Sequence, residues 1–231
     1  MMKIVISGHG RTGSILQEMI NENKNMSEAT AEDGDFDVII DFSHPDNLEK
    51  IKEYALKYKK PVVIATTGYT KRQELSIEEM SKSVAVVFSP NFSPGITLMQ
   101  RLISEITPLL KDSFDMEIIE KHHRNKLDAP SGTANLLLYA ADPDNEYCVK
   151  HGRFGNGKRE KEIGIHSLRC GSISGEHSVI FAGEDEVIEI THRAVSNRIF
   201  AAGALKAALF ALEQMPGLYS MHDVLLGGEK K

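Results

Sequence analysis

Apolar residues in the first part of the chain come in short β-branched runs separated by stretches of helical period. Lys3–Ser7, Val38–Phe42, Pro61–Ala65 and Val84–Phe88 are predicted strands, because runs of this kind bounded by turn residues suit a sheet covered on both faces. Between them, Ser14–Asn23 places Ile15, Leu16, Met19 and Ile20 on one helical face. Pro45–Lys57, with proline near its first turn, and Gln73–Ser81 are two more predicted helices. Strand and helix therefore alternate, which implies a parallel sheet. Asn23–Asp35 is polar and short, and a second strand is missing there or reduced to a piece such as Met26–Ala31.

After Ser89-Pro90-Asn91-Phe92 the rhythm changes. A long helix spans Gly95–Leu110, a strand Asp115–Glu120 and a helix Gly132–Ala141. Asp142–Lys161, rich in Gly, Asp, Asn and Lys, is read as a mobile loop. Ile163–Ile173, His177–Ala182 and Glu186–Thr191 are strands joined by glycine-containing turns, whose order suggests an antiparallel or mixed sheet and a second domain. Ile199–Gln214 is a closing helix, Leu218–Leu226 a short segment that docks back on the first domain, and 227–231 a frayed polar tail.

Gly8-His9-Gly10-Arg11-Thr12-Gly13 follows a strand and opens a helix. Glycines there let the backbone approach a pyrophosphate, and a helix start supplies N–H groups. A tight turn with no ligand is the plainer alternative. Dinucleotide loops are partnered by an acid near the end of the second strand. Glu32 is the best candidate, Glu28 a weaker one, and an ordinary surface acid stays open as a reading.

The most informative stretch runs from Glu117 to Ala134. His122, His123 and Lys126 stand where a strand gives way to a loop, and Ser131-Gly132-Thr133 then opens a helix. Histidine exchanges protons near neutral pH, and a hydroxyl beside a helix start makes a carboxylate site. Surface or core histidines are the alternative, and neighbours on a strand face opposite ways unless the strand ends. A metal site is a further alternative, given His151, His166, His177 and His192, but the spacing matches no zinc signature.

Bulk properties narrow the classes. The 231 residues are 41% hydrophobic and 26% charged, with net charge -6, which speaks against a general nucleic-acid binder. No apolar run is long enough to span a membrane, and the start reads as a strand and not as a signal peptide. Cys148 and Cys170 are too few for a disulfide framework and are expected as free thiols in a reducing cytosol.

The run Glu120-x-His122-His123-x-x-Lys126-x-Asp128-Ala129-Pro130-Ser131-Gly132-Thr133-Ala134 resembles the signature of the 4-hydroxy-tetrahydrodipicolinate reductase (dihydrodipicolinate reductase) family. The glycine loop, Asp41-Phe42-Ser43, Thr66-Thr67-Gly68, Pro90-Asn91-Phe92-Ser93, Glu162–His166, Gly175-Glu176-His177 and Phe200–Leu205 agree in order, so the likeness covers nearly the whole chain. The resemblance implies an α/β fold: a Rossmann-like parallel-sheet nucleotide domain (1–93 and 197–231) and a smaller α+β domain with a mixed sheet (94–196) for substrate and assembly into a homotetramer. It implies NADH or NADPH as cofactor, held by the glycine loop with Ser7, Gly8, His9, Gly10, Arg11, Thr12 and Gly13, and with Ala65, Thr66, Thr67, Ser89, Pro90, Asn91 and Phe92 on the nicotinamide side. Glu32 stays the ribose candidate from the loop reading alone, since the second-strand region is about 20 residues shorter than the family's. His122 and Lys126 are the implied catalytic residues. His123, Gly132 and Thr133 are the implied partners of a cyclic dicarboxylate substrate. No metal, nucleic acid or membrane partner is expected. Alanine at position 65 stands where the family usually has glycine, and threonine at position 12 where it has methionine. The rival readings are another NAD(P)-dependent imine or amino-acid dehydrogenase, since fold does not fix function, and an NAD(H)-sensing regulator without chemistry.

Overall fold

β1 (Met2–Ser7) is the pivot of the first sheet, with a parallel neighbour on each side. The computed structural model describes residues 1–227, so the rest of the tail lies outside the described residues. The chain divides into two units, Met1–Pro94 with the described residues from Asn197 onward, and Gly95–Ser196.

In the first unit β1 is followed by α1 (Arg11–Glu22), β2 (Met26–Glu28), β3 (Val38–Asp41), a 3-10 turn at Pro45–Asn47, α2 (Leu48–Tyr58), β4 (Val62–Ile64), α3 (Lys71–Ser81) and β5 (Ala85–Phe88). The second strand is thus present, but only three residues long. Its residues are only half-buried or exposed, which is why no apolar run announced it. Alternate side chains divide the sheet's faces. Ile4, Ile6, Val38, Ile40, Val63 and Val87 face one core, while Val5, Ile39, Val62, Ile64 and Val86 face the other. Each such side chain contributes up to about 1.5–3 kcal/mol on burial. Leu48, Ile51 and Ala55 of α2, with Ile77 and Met80 of α3, cover the second face.

The second unit runs through α4 (Pro94–Leu110), β6 (Asp115–His122), α5 (Gly132–Ala141), β7 (Cys148–His151), β8 (Glu162–Arg169), β9 (Glu176–Ala182) and β10 (Val187–Arg193). Its sheet has the order β10-β9-β6-β8-β7, with β6, β7 and β8 parallel and β9 antiparallel to both its neighbours. α4 and α5 bury Ile96, Ile103 and Leu137 against Met116, Ile118, Ile163, Val179 and Phe181. β7 corrects the reading of 142–161 as one loop. It is an edge strand of exposed and half-buried residues held by backbone pairing to β8, so it leaves no apolar pattern. β8 in turn stops at Arg169, short of the expected Ile173.

α6 (Arg198–Leu212), β11 (Gly217–Tyr219) and α7 (Met221–Leu226) belong to the first unit. β11 pairs parallel with β5, completing the order β11-β5-β4-β3-β1-β2. The chain steps from β1 out to β2 and returns past β1 to β3. That reversal is the topological switch at which open parallel sheets bind ligands, beyond the carboxyl ends of their strands.

α6 lies close to the segment after β5. A Cβ on Gly203 would stand 1.7 Å from the Phe92 carbonyl oxygen. Backbone cannot yield as a flexible side chain does, so Gly203→Ala should lower stability by about 1–3 kcal/mol, read as a fall in Tm. An unchanged Tm would show that α6 shifts freely over this segment.

Candidate active site

In the first unit the glycine loop sits at the carboxyl end of β1. Gly8 adopts φ 92°, and a Cβ there would lie 2.5 Å from the Phe42 carbonyl oxygen. A Cβ on Gly13 would fall 1.9 Å from the Gly8 carbonyl oxygen. These two glycines are required by the protein's own packing. Gly10 differs: it precedes α1, and nothing lies within 4 Å of its Cβ position. The space beside Gly10 is thus left clear at a helix start, where an anion is favoured.

Ser7, Ala65-Thr66-Thr67 and Ser89-Pro90-Asn91-Phe92 follow or end β1, β4 and β5, so the parallel sheet brings all of them to one edge. Phe92 is an exception in kind, because its ring is buried in the core against Phe42 and its carbonyl oxygen lies against Gly203. Beside the loop is a cavity of about 370 Å³ lined in part by Ser7, His9, Glu28, Glu32, Lys50 and Tyr54. Glu28 ends β2 and receives His9 Nε2 at 3.1 Å and Gln17 Nε2 at 2.6 Å. Glu32 lies four residues on and accepts the Tyr54 hydroxyl at 3.2 Å. The strand-end position therefore belongs to Glu28, the acid the sequence ranked second. Arg11 and Thr12 lie in the first turn of α1 and are not among the cavity's lining residues.

In the second unit β6 alternates strictly. Met116, Ile118, Glu120 and His122 are buried on the helix side, and the strand ends at His122. His123 therefore begins the loop and escapes the opposite-face rule. Lys126 in that loop pairs with Asp128 at 2.8 Å. Ser131 caps α5 by accepting the Ala134 N–H at 3.1 Å, so Gly132 and Thr133 form the helix's first turn. No atom lies within 4 Å of a Cβ placed on Gly132. The sequence-named His122, His123, Lys126, Gly132 and Thr133 thus belong to one end of β6 and the start of α5.

Three further residues complete this site. Glu120, wholly buried, accepts His122 Nδ1 at 2.6 Å, the Ser131 N–H at 3.1 Å and both Arg169 terminal nitrogens at 2.7 Å. His177 stands against the Ser131 hydroxyl at 3.0 Å and edge-on to His122, with ring centroids 5.1 Å apart. Period two on a strand is the signal that would have paired Glu120 with His122. Arg169 and His177 arrive from β8 and β9; Gly175-Glu176-His177 is marked only as a segment of the family likeness, and no local pattern marks Arg169.

Electrostatics follow from this packing. Burial pushes the Glu120 carboxyl up, but Arg169, His122 and Ser167 outweigh it and hold it at about 2. Burial lowers His122, with Glu120 opposing. Burial, then the neighbouring His122, lowers His177 to about 3, so that ring is neutral under ordinary conditions. Both cysteines are free and exposed. Among the described residues no group of three or more His, Cys, Asp or Glu is arranged to hold a metal ion, and no helix is long and apolar enough to cross a membrane.

A parallel sheet with a glycine loop at its switch point, joined to an α+β unit bearing a His-Lys-helix site, defines a two-domain oxidoreductase of the dinucleotide-binding type. The profiles described as "Dihydrodipicolinate reductase, N-terminus" and "Dihydrodipicolinate reductase, C-terminus" match residues 24–92 and 95–225. The 4-hydroxy-tetrahydrodipicolinate reductase of Brachyspira hyodysenteriae is 47% identical over 233 residues, covering 97% of this chain and 100% of the relative. That of Clostridium novyi is 42% identical, covering 97% and 98%. The dipicolinate-bound dihydrodipicolinate reductase from Paenisporosarcina sp. TG-14 shares the fold, with TM-score 0.78 at 23% identity over 97% of this chain and 100% of that one. The chain belongs to the dihydrodipicolinate reductase family.

Gly8 and Gly13 are needed for packing and Gly10 is not. Gly10→Ala should fold with a Tm near wild type and weaken NADH binding at least about tenfold, since only a ligand needs that space. Titration by nucleotide fluorescence checks this, and wild-type affinity would place the pyrophosphate elsewhere.

Proposed function

We propose that this protein reduces 4-hydroxy-tetrahydrodipicolinate to tetrahydrodipicolinate with loss of water, in lysine biosynthesis by the diaminopimelate route. The observation that carries the reading is the gathering of His122, Lys126 and the Ser131-Gly132-Thr133 helix start at one end of β6, in a chain of this family. Bound NADH or NADPH supplies the hydride. The substrate's carboxylates call for cations and N–H donors. His123, Lys126, Gly132 and Thr133 provide them, helped by the positive end of α5. The 4-hydroxyl leaves with a neighbouring ring hydrogen as water, giving a carbon conjugated to the imine. Hydride addition there builds electron density on the ring, and His122 at Nε2, or Lys126 at Nζ, gives the proton that completes it.

The glycine loop would hold the pyrophosphate, and Glu28 or Glu32 the ribose hydroxyls. Lys50, from α2, also lines that cavity, whereas Lys24 does not. Two carboxylates against one ammonium repel a 2′-phosphate, so NADH is the better-suited cofactor. The second unit would form a homotetramer through the sheet face away from α4 and α5, where Leu168 and Val187 are exposed on the same side as Ile119 and Ile180. A cytosolic setting suits the two free thiols. The regulator reading has less in its favour, because a sensor has no use for the His-Lys-helix constellation.

His122→Gln should lower kcat by about 10²–10⁴-fold, with NADH affinity and Tm retained. Near wild-type turnover would assign the proton to Lys126 or another group. For the cofactor, kcat/KM with NADH should equal or exceed that with NADPH at one ionic strength. A preference for NADPH above about tenfold, or about 1.4 kcal/mol, would mean that Lys50 or another cation reads the phosphate.

A further inference from the structure

Glu120 links three elements of the second unit through one carboxylate. Its Oε2 takes His122 Nδ1 and Arg169 Nη1, and its Oε1 takes the Ser131 N–H and Arg169 Nη2. Arg169 also donates to the Asp128 carbonyl at 2.6 Å, tying down the loop that carries Lys126. A buried ion pair is a poor means of stabilising a fold, because an apolar pair of similar volume often does as well. A buried carboxylate spanning the end of β6, the start of α5 and the end of β8 calls for another reason.

That reason lies in the hydrogen between Glu120 and His122. An ionised carboxylate has only lone pairs to offer, so the hydrogen sits on Nδ1. In the neutral ring Nε2 then carries the lone pair, on the side away from Glu120. A Cβ on Gly175 would stand 3.1 Å from Nε2, so glycine there keeps that nitrogen's surroundings clear.

We infer that Glu120, clamped by Arg169, is a positioning residue for the reaction: it sets the tautomer and direction of the His122 ring and, through the Ser131 N–H, the start of the carboxylate-binding helix. The inference rests on the roles given above to His122 and the α5 start. One carboxylate thereby holds the proton-transfer group and the substrate cradle in mutual register. The groups that face His122 are Glu120 on its own strand, Arg169 from β8, His177 from β9 and Lys126 from the loop.

Glu120→Gln tests this. The variant keeps the size but loses the charge, so the His122 imidazolium loses its anionic partner and gives up its proton more readily. The limb of the kcat–pH profile that His122→Gln abolishes should move to lower pH by about one unit. At the same time kcat should fall at least about tenfold and KM for the dicarboxylate rise, with NADH affinity unchanged. Glu120→Asp, which restores the charge, should return the limb toward its wild-type position. A fall in kcat with the limb unmoved would overturn the inference, leaving Glu120 a purely structural residue. If Glu120→Gln fails to fold, the wild-type protein decides. Imidazole ¹⁵N shifts at about pH 8, where imidazoles are neutral, should show His122 protonated at Nδ1. Protonation at Nε2 overturns the inference. The tautomer is read without turnover, so an inactive wild-type protein would count against the functional reading alone.

Discussion

A carboxylate shut off from water at the end of β6 is the constraint around which the second unit is arranged. Removing a charge from water costs several kcal/mol unless it is paired and fully hydrogen-bonded. Glu120 meets that demand with a guanidinium from β8, an imidazole from its own strand and the backbone of the α5 cap. Meeting it ties together the end of β6, the start of α5 and, through Arg169, the end of β8 and the loop at Asp128. The residues that suit chemistry are then those the carboxylate has already gathered.

The first unit answers to a different demand, that of parallel strands whose faces must both be covered. Its alternating cores bring the carboxyl ends of β1, β3, β4 and β5 to one edge, and the switch beside β1 opens a crevice there. Gly8 and Gly13 let the loop fold against Phe42 and against itself, while Gly10 keeps the helix start open. Packing thus requires Gly8 and Gly13 of the motif but not Gly10.

Much of this was legible in the residues themselves. β-branched runs located β1, β3, β4 and β5, and the helix start at Gly132 was read to the residue. The elements least legible were those whose stability comes from backbone pairing and not from an apolar pattern: β11 and the exposed edge strand β7 escaped, and β2 stood open between absence and a remnant within Met26–Ala31. In the site, His122, His123, Lys126, Gly132 and Thr133 announced themselves by chemistry on adjoining segments. Glu120 did not, because a glutamate in a strand reads as solvent-facing until its burial is known. Arg169, His177 and Lys50 reach their positions only through tertiary pairing. β2 is too short for its end to be placed from composition, so that Glu28 stands at that end emerges only from the fold.

The account stands or falls on hydride transfer to a cyclic dicarboxylate. The most direct measurement supplies 4-hydroxy-tetrahydrodipicolinate, generated enzymatically in place, together with NADH deuterated at the transferring position, and examines the product by mass spectrometry. The account predicts tetrahydrodipicolinate carrying a single deuterium for each NADH oxidised. NADH left unconsumed, or consumed without deuterium in the product, would contradict it.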